Sequence, residues 1–133
     1  MKVYVWLRSI VAVIGGLLGW FLGGFDGILW VLVAFVVTDY LTGVAHAIAS
    51  HALSSAVGFR GIARKVTIFL LVGIGSLLDR YVIGSGQTVR TVTISFYLAN
   101  EGISIMENAA RLGLPVPEKL RSILAQLKDG DDQ

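Results

Sequence analysis

The sequence predicts an all-α integral membrane protein, with about four transmembrane helices and a short C-terminal amphipathic helix, built to oligomerise. Three observations carry this. Hydrophobic residues make up 55% of the 133 positions and charged residues only 15%, with a mean hydropathy of +0.75, far from a soluble domain. Apolar stretches long enough to cross a hydrocarbon core of ~30 Å recur, too many for one signal peptide. Glycine and proline clusters at Gly23–Gly27, Gly84–Gly86 and Gly113–Pro117 punctuate them.

The first helix is expected over residues 9–25, after a basic start in which Tyr4 and Trp6 suit the headgroup region. No small-residue cleavage site follows, so the segment reads as retained. Gly15, Gly19 and Gly23 recur every fourth residue, a face on which a second helix can approach closely. The second helix is expected over residues 28–49. Asp39, Thr42, Gly43 and His46 share one side of its second half, and an ionisable group at that depth needs a partner or water. Asp39 and Gly43 are read as packing positions, Asp39 hydrogen-bonded to Thr42 or a neighbouring helix or lying near the headgroups, against a pore or signalling role for Asp39. The two histidines lack the clustered ligands of a metal site.

Residues 50–65 read as a polar, glycine-punctuated connection. Ser54 or Ser55 is placed to cap a short interfacial helix, with Arg60, Arg64 and Lys65 meeting anionic lipid heads. The third helix is expected over residues 66–83, ending in Asp79-Arg80-Tyr81 as an interfacial ion-pair and aromatic cluster. Gly113, Pro115 and Pro117 then end the membrane region, residues 1–112. Residues 113–133 form a cytoplasmic segment, in which Leu120, Ile123, Leu124 and Leu127 share one face of a helix over Glu118–Lys128 and DGDDQ is a solvated tail.

The fourth helix, residues 88–111, organises the rest. From Arg90 to Arg111 it spans roughly 31 Å. Arg90, Thr93, Tyr97, Asn100, Glu101, Ser104, Glu107, Asn108 and Arg111 fall within about one third of its circumference. Such a helix cannot stand alone in lipid. The periodicity fits two arrangements equally: a stripe facing a water-filled lumen, or a closed bundle in which Arg111, Asn108, Tyr97 and Arg90 satisfy Glu101 and Glu107.

Four crossings with the amino terminus inside place nine of the eleven basic residues on the inner side and only Arg80 and Arg90 outside. Both termini are then cytoplasmic. A three-crossing variant changes that count. With no cysteine, disulfides and thiol chemistry are excluded. A net charge of +2, dispersed around apolar segments, gives no nucleic-acid surface. Gly58-Phe59-Arg60-Gly61 lacks the lysine of a phosphate loop. No catalytic constellation and no cofactor are expected.

Asp39-Tyr40-Leu41-Thr42-Gly43, the block Leu53 to Lys65, Tyr97 to Ile105, Glu107 to Ala110 and Leu112 to Pro117 together resemble the toxin-secretion/phage-lysis holin family. The similarity runs from about Gly24 to Lys128. It implies a protein of the bacterial cytoplasmic membrane that associates with itself and with lipids. At a set time it opens pores that release an endolysin or a large toxin. The resemblance favours lumen lining for the polar stripe in the open assembly, with the stripe hidden beforehand, against Asp39, Thr42 and His46 or flat in the interface. Two other functions fit the residues: a small cation- or proton-coupled transporter or channel using Glu101, and a scaffold docking a partner through Glu118–Lys128.

Overall fold

Five α-helices form in a computed structural model that describes residues 1–131: α1 (Lys2–Leu22), α2 (Gly27–Ala49), α3 (Ser55–Leu78), α4 (Thr88–Arg111) and α5 (Glu118–Asp131). No strand occurs among the described residues. α3 runs directly into a π-helical turn, Asp79–Ile83, closed by Gly84 at φ 88°. Among the described residues three helices are long and apolar enough to cross a membrane: α1, α2, and α3 with its π turn. α4 matches α3 at 24 residues but carries Arg90, Glu101, Glu107 and Arg111, so composition alone does not qualify it.

The core lies between α2, α3 and α4. Leu29, Leu32 and Val36, spaced three and four apart, turn one face of α2 inward. They meet Ile68 and Val72 of α3 and Ile94 of α4, with Leu22 closing one end and Phe69, Tyr97 and Leu98 packed around. α1 packs chiefly on α3. There a Cβ at Gly73 would run into the Phe21 ring, so the glycine is what lets the two helices meet. Elsewhere α1 shows bare apolar side chains, among them Ile10, Ile14, Leu17 and Leu18. With Trp30, Leu41, Leu70 and Val92 they form the exposed apolar surface of a protein that sits in lipid.

Several boundaries differ from expectation. α1 begins at Lys2 rather than residue 9 and ends at Leu22 rather than 25, because Gly23 adopts a left-handed conformation, φ 83°, and caps it. Gly23 therefore lies outside the helical glycine face on which it was placed. Gly19 contacts its own chain through the Phe25 ring, and Gly15 faces open space. Residues 55–65 are no separate interfacial piece. Ser54 accepts a hydrogen bond from Val57 N at 3.2 Å and starts α3, which continues unbroken through Lys65. α5 runs past Lys128 to Asp131. Leu120 and Ile123 are exposed. The side chains of Leu124, Leu127 and Lys128, and the end of the expected tail, lie outside the described residues.

Candidate functional site

The polar residues of α4 gather into two clusters. They sit near Arg90 and near Glu101, eleven residues and so about 17 Å apart along the axis, with Ile94 and the apolar core between them.

The first cluster forms where α1 ends and α2 begins. A helix end leaves carbonyls without partners, and Arg90 supplies them. Its Nε donates to Leu22 O at 2.6 Å and its Nη2 to Gly24 O at 2.9 Å. The remaining donors grip the Asp26 carboxylate at 2.8 and 2.9 Å, a bidentate pair. Arg90 is only 1% exposed. Asp26 also accepts from Leu29 N at 3.2 Å, capping α2. The Arg90 guanidinium, with help from that amide, holds the Asp26 carboxyl below its ordinary pKa against a weaker opposing push from burial.

Asp79 completes this end. Its carboxylate accepts from Val89 N at 3.0 Å and Arg90 N at 2.9 Å, satisfying amides in the first turn of α4. The expected Asp79-Arg80-Tyr81 interfacial ion pair is therefore corrected: Asp79 is buried against backbone. Arg80 donates to Trp20 O at 2.7 Å and lies over the Trp20 ring. Gly75 permits this approach of α3 to α4, since a Cβ there would stand 3.3 Å from the Arg90 backbone.

The second cluster joins α2, α3 and α4. Lys65 Nζ donates to Asp39 Oδ2 and to Glu101 Oε2, the latter at 2.5 Å. Asn108 Nδ2 donates to Asp39 Oδ1 and to Thr42 Oγ1, each at 3.0 Å. The side chains of Asp39, Glu101 and Lys65 are 7%, 9% and 18% exposed, so two carboxylates share one ammonium in a nearly dry setting. Gly43 lies against this cluster, where a Cβ would make an ordinary contact 3.6 Å from Asn108 Nδ2. A cavity of about 730 Å³ reaches from Asp39 and Lys65 to His46, Arg60 and Arg111. Another of about 510 Å³ lies beside Thr67, Tyr97, Asn100 and Glu101.

The expected stripe thus divides. Arg90, Glu101 and Asn108 are buried. Thr93, Tyr97, Asn100 and Ser104 are half-buried, and Glu107 and Arg111 are exposed. In the single chain Glu101 is met by Lys65, not by Arg111 or Arg90, and Glu107 is left exposed rather than satisfied within the bundle. Lys65 was expected among lipid heads with Arg60 and Arg64. It turns inward, while those two remain exposed. The roles of Asp26 and Asp79 as partners of α4, and the Gly73/Gly75 pair, escaped the sequence reading. The signals were an aspartate directly ahead of an apolar run and two glycines on α3.

The fold is that of an all-helical membrane protein with three helices long and apolar enough to cross a bilayer among the described residues, packed with a polar-striped helix whose Arg90 and Glu101 are held by ion pairs. Residues 16–129 match the sequence profile described as the bacteriophage holin family. The chain belongs to that family. It is 42% identical to an uncharacterised 14.9 kDa protein in the nagH 3′ region of Clostridium perfringens, covering 87% of this chain and 88% of the relative. An uncharacterised protein of Listeria monocytogenes is 41% identical, with 90% and 86% covered. A protein of Bacillus phage phi105 named as a probable holin is 33% identical, with 73% and 71% covered. No solved structure matches the chain.

Proposed function

We propose that this protein is a holin that opens pores in the bacterial cytoplasmic membrane and so frees an endolysin or a large toxin to leave the cell. In this reading α1 to α4 all cross the bilayer and both termini face the cytoplasm. Copies of the chain associate, and no catalytic step is involved. Family membership and the name of the phi105 relative support it. The observation that carries it is the closure of α4: its interior charges are held by Asp26 at one end and by Lys65 at the other. Charged groups in hydrocarbon require partners or water. When chains associate and these pairs part, the stripe has to face a shared aqueous lumen. The ion pairs then explain how a lethal protein waits harmlessly.

The chain has no cysteine, so single cysteines report cleanly. Cysteines placed at Tyr97, Asn100 and Ser104 are expected to react with a membrane-impermeant thiol reagent after triggering, and those at Val92, Ile94 and Leu98 are not. Equal reactivity of the two sets refutes the lumen.

The two cavities that share Asp39 and Lys65, one of them lined by Glu101, favour a second reading, a small cation or proton channel. Expression in a bacterium separates the two. Abrupt loss of membrane potential with death supports the holin, whereas ion uptake without lysis supports the channel.

A further inference from the structure

The cavity of about 730 Å³ at the end of the bundle carries an unusual charge. Its wall holds Arg60, Arg64, Lys65 and Arg111 against a single carboxylate, Asp39. Lys65 is already engaged by Asp39 and by Glu101. None of the ion pairs among the described residues uses the three arginines. The arginines come from two elements, Arg60 and Arg64 from α3 and Arg111 from the last position of α4, so the bundle itself brings them around one space. The same wall also carries apolar residues, Val44 and Ala47 of α2 and Leu53 of the connecting loop.

Guanidinium groups bind phosphate through paired, charge-assisted hydrogen bonds. A few hundred cubic ångströms with apolar residues in the lining is the size of an organic ligand site rather than of a bare ion site. Arg111 lies ten residues beyond Glu101, about 15 Å along the axis, which puts the basic end where the helices finish and lipid heads begin. We propose that this cavity binds the phosphoglycerol head group of an anionic phospholipid, with the arginines on the phosphate and the apolar residues along the glycerol and first methylenes. The inference rests on these helices lying in the membrane, not on pore opening.

The test uses the full chain in neutral detergent, with lipid retention read by native mass spectrometry. The probes are phosphatidylglycerol, phosphatidylcholine with the same acyl chains, and inorganic phosphate. Phosphatidylglycerol is expected to bind at least about tenfold more tightly than phosphatidylcholine, since two or more arginines act on the charge that distinguishes them. Arg64→Gln and Arg111→Gln should each weaken it about fivefold, and Arg111→Lys, which keeps the charge but not the paired donors, should lose less than Arg111→Gln. Arg8→Gln, in an exposed arginine of α1 outside the cavity, should change nothing; circular dichroism checks that each variant is folded. Equal retention of both lipids, or an Arg8→Gln effect as large as that of Arg111→Gln, overturns the site. Inorganic phosphate that binds as tightly alone and displaces the lipid overturns the lipid as occupant. A chain that selects phosphatidylglycerol but never permeabilises a membrane overturns the holin reading and leaves this one standing.

Discussion

Replacing Lys65 with methionine removes a charge while keeping an unbranched side chain of similar length. In the intact protein one ammonium serves both Asp39 and Glu101, whose side chains are 7% and 9% exposed. Without it, two buried carboxylates face each other among neutral groups, with the Asn108 amide on Asp39 and Ser104 lining the same space. Breaking a buried pair by removing one partner costs about 3–5 kcal/mol, because the remaining charge has no compensation. The carboxylates limit that cost by taking up a proton. Changing Glu101 to glutamine in the Lys65→Met background removes one of the stranded charges, and the second change should return roughly 1–3 kcal/mol, a coupling expected of direct contacts. Unfolding of the purified chain in mixed micelles, followed by circular dichroism, gives the four free energies of the cycle. In cells the same Lys65→Met change should bring lysis forward, since the closed form is what it weakens. Should Lys65→Met unfold within about 0.5 kcal/mol of the parent, the range of an uninvolved surface site, or the double variant be no more stable than the single one, the shared lysine is not what holds α2, α3 and α4 together.

Arg90→Lys keeps the charge but cannot span two carbonyls and both oxygens of Asp26; a loss of about 2–4 kcal/mol is expected in the same unfolding assay. Because Arg90 lowers the Asp26 pKa from its ordinary value of 3.8, the stabilisation from this carboxylate is complete above that value and disappears as the pH falls through the lower, folded-state pKa. The stability difference between the parent and Asp26→Asn should therefore be flat from neutral pH to about 4 and shrink below it, measured by unfolding across a pH series. Gly73→Leu places a branched side chain where the Phe21 ring of α1 lies. It should detach α1 from α3, seen as loss of a Phe21–Gly73 neighbour cross-link, while α2–α4 pairing persists.

The parts of this architecture that were legible in the sequence are those fixed by local chemistry. α2 was expected over residues 28–49 and forms over Gly27–Ala49, because a glycine-rich turn precedes a long, mostly apolar run. α4 forms over Thr88–Arg111 as expected, its alternating three- and four-residue spacing leaving little choice. The start of α3 was obscured by Gly58 and Gly61, which resemble loop punctuation. In the fold both lie within α3 beside Tyr40, and Gly61 is a close-approach position, where a Cβ would stand 3.3 Å from the ring. The partners of α4 were illegible for another reason. Lys65 meets residues 26 and 36 positions away, and Arg90 meets Asp26 from 64 positions away. No periodicity encodes such pairings. A lysine beside two arginines reads as a surface cation until the helix carrying it is oriented.

The guanidinium of Arg90 also bears on how the chain is made. The turn between the first two helices leaves the carbonyls of Leu22 and Gly24 and the Asp26 carboxylate for a residue that a ribosome adds 64 positions later than Asp26. At about 5–20 residues per second that is a wait of roughly 3–13 seconds. A newly inserted hairpin must keep this corner hydrated at the membrane surface throughout the interval, and the bundle locks only once the fourth segment emerges.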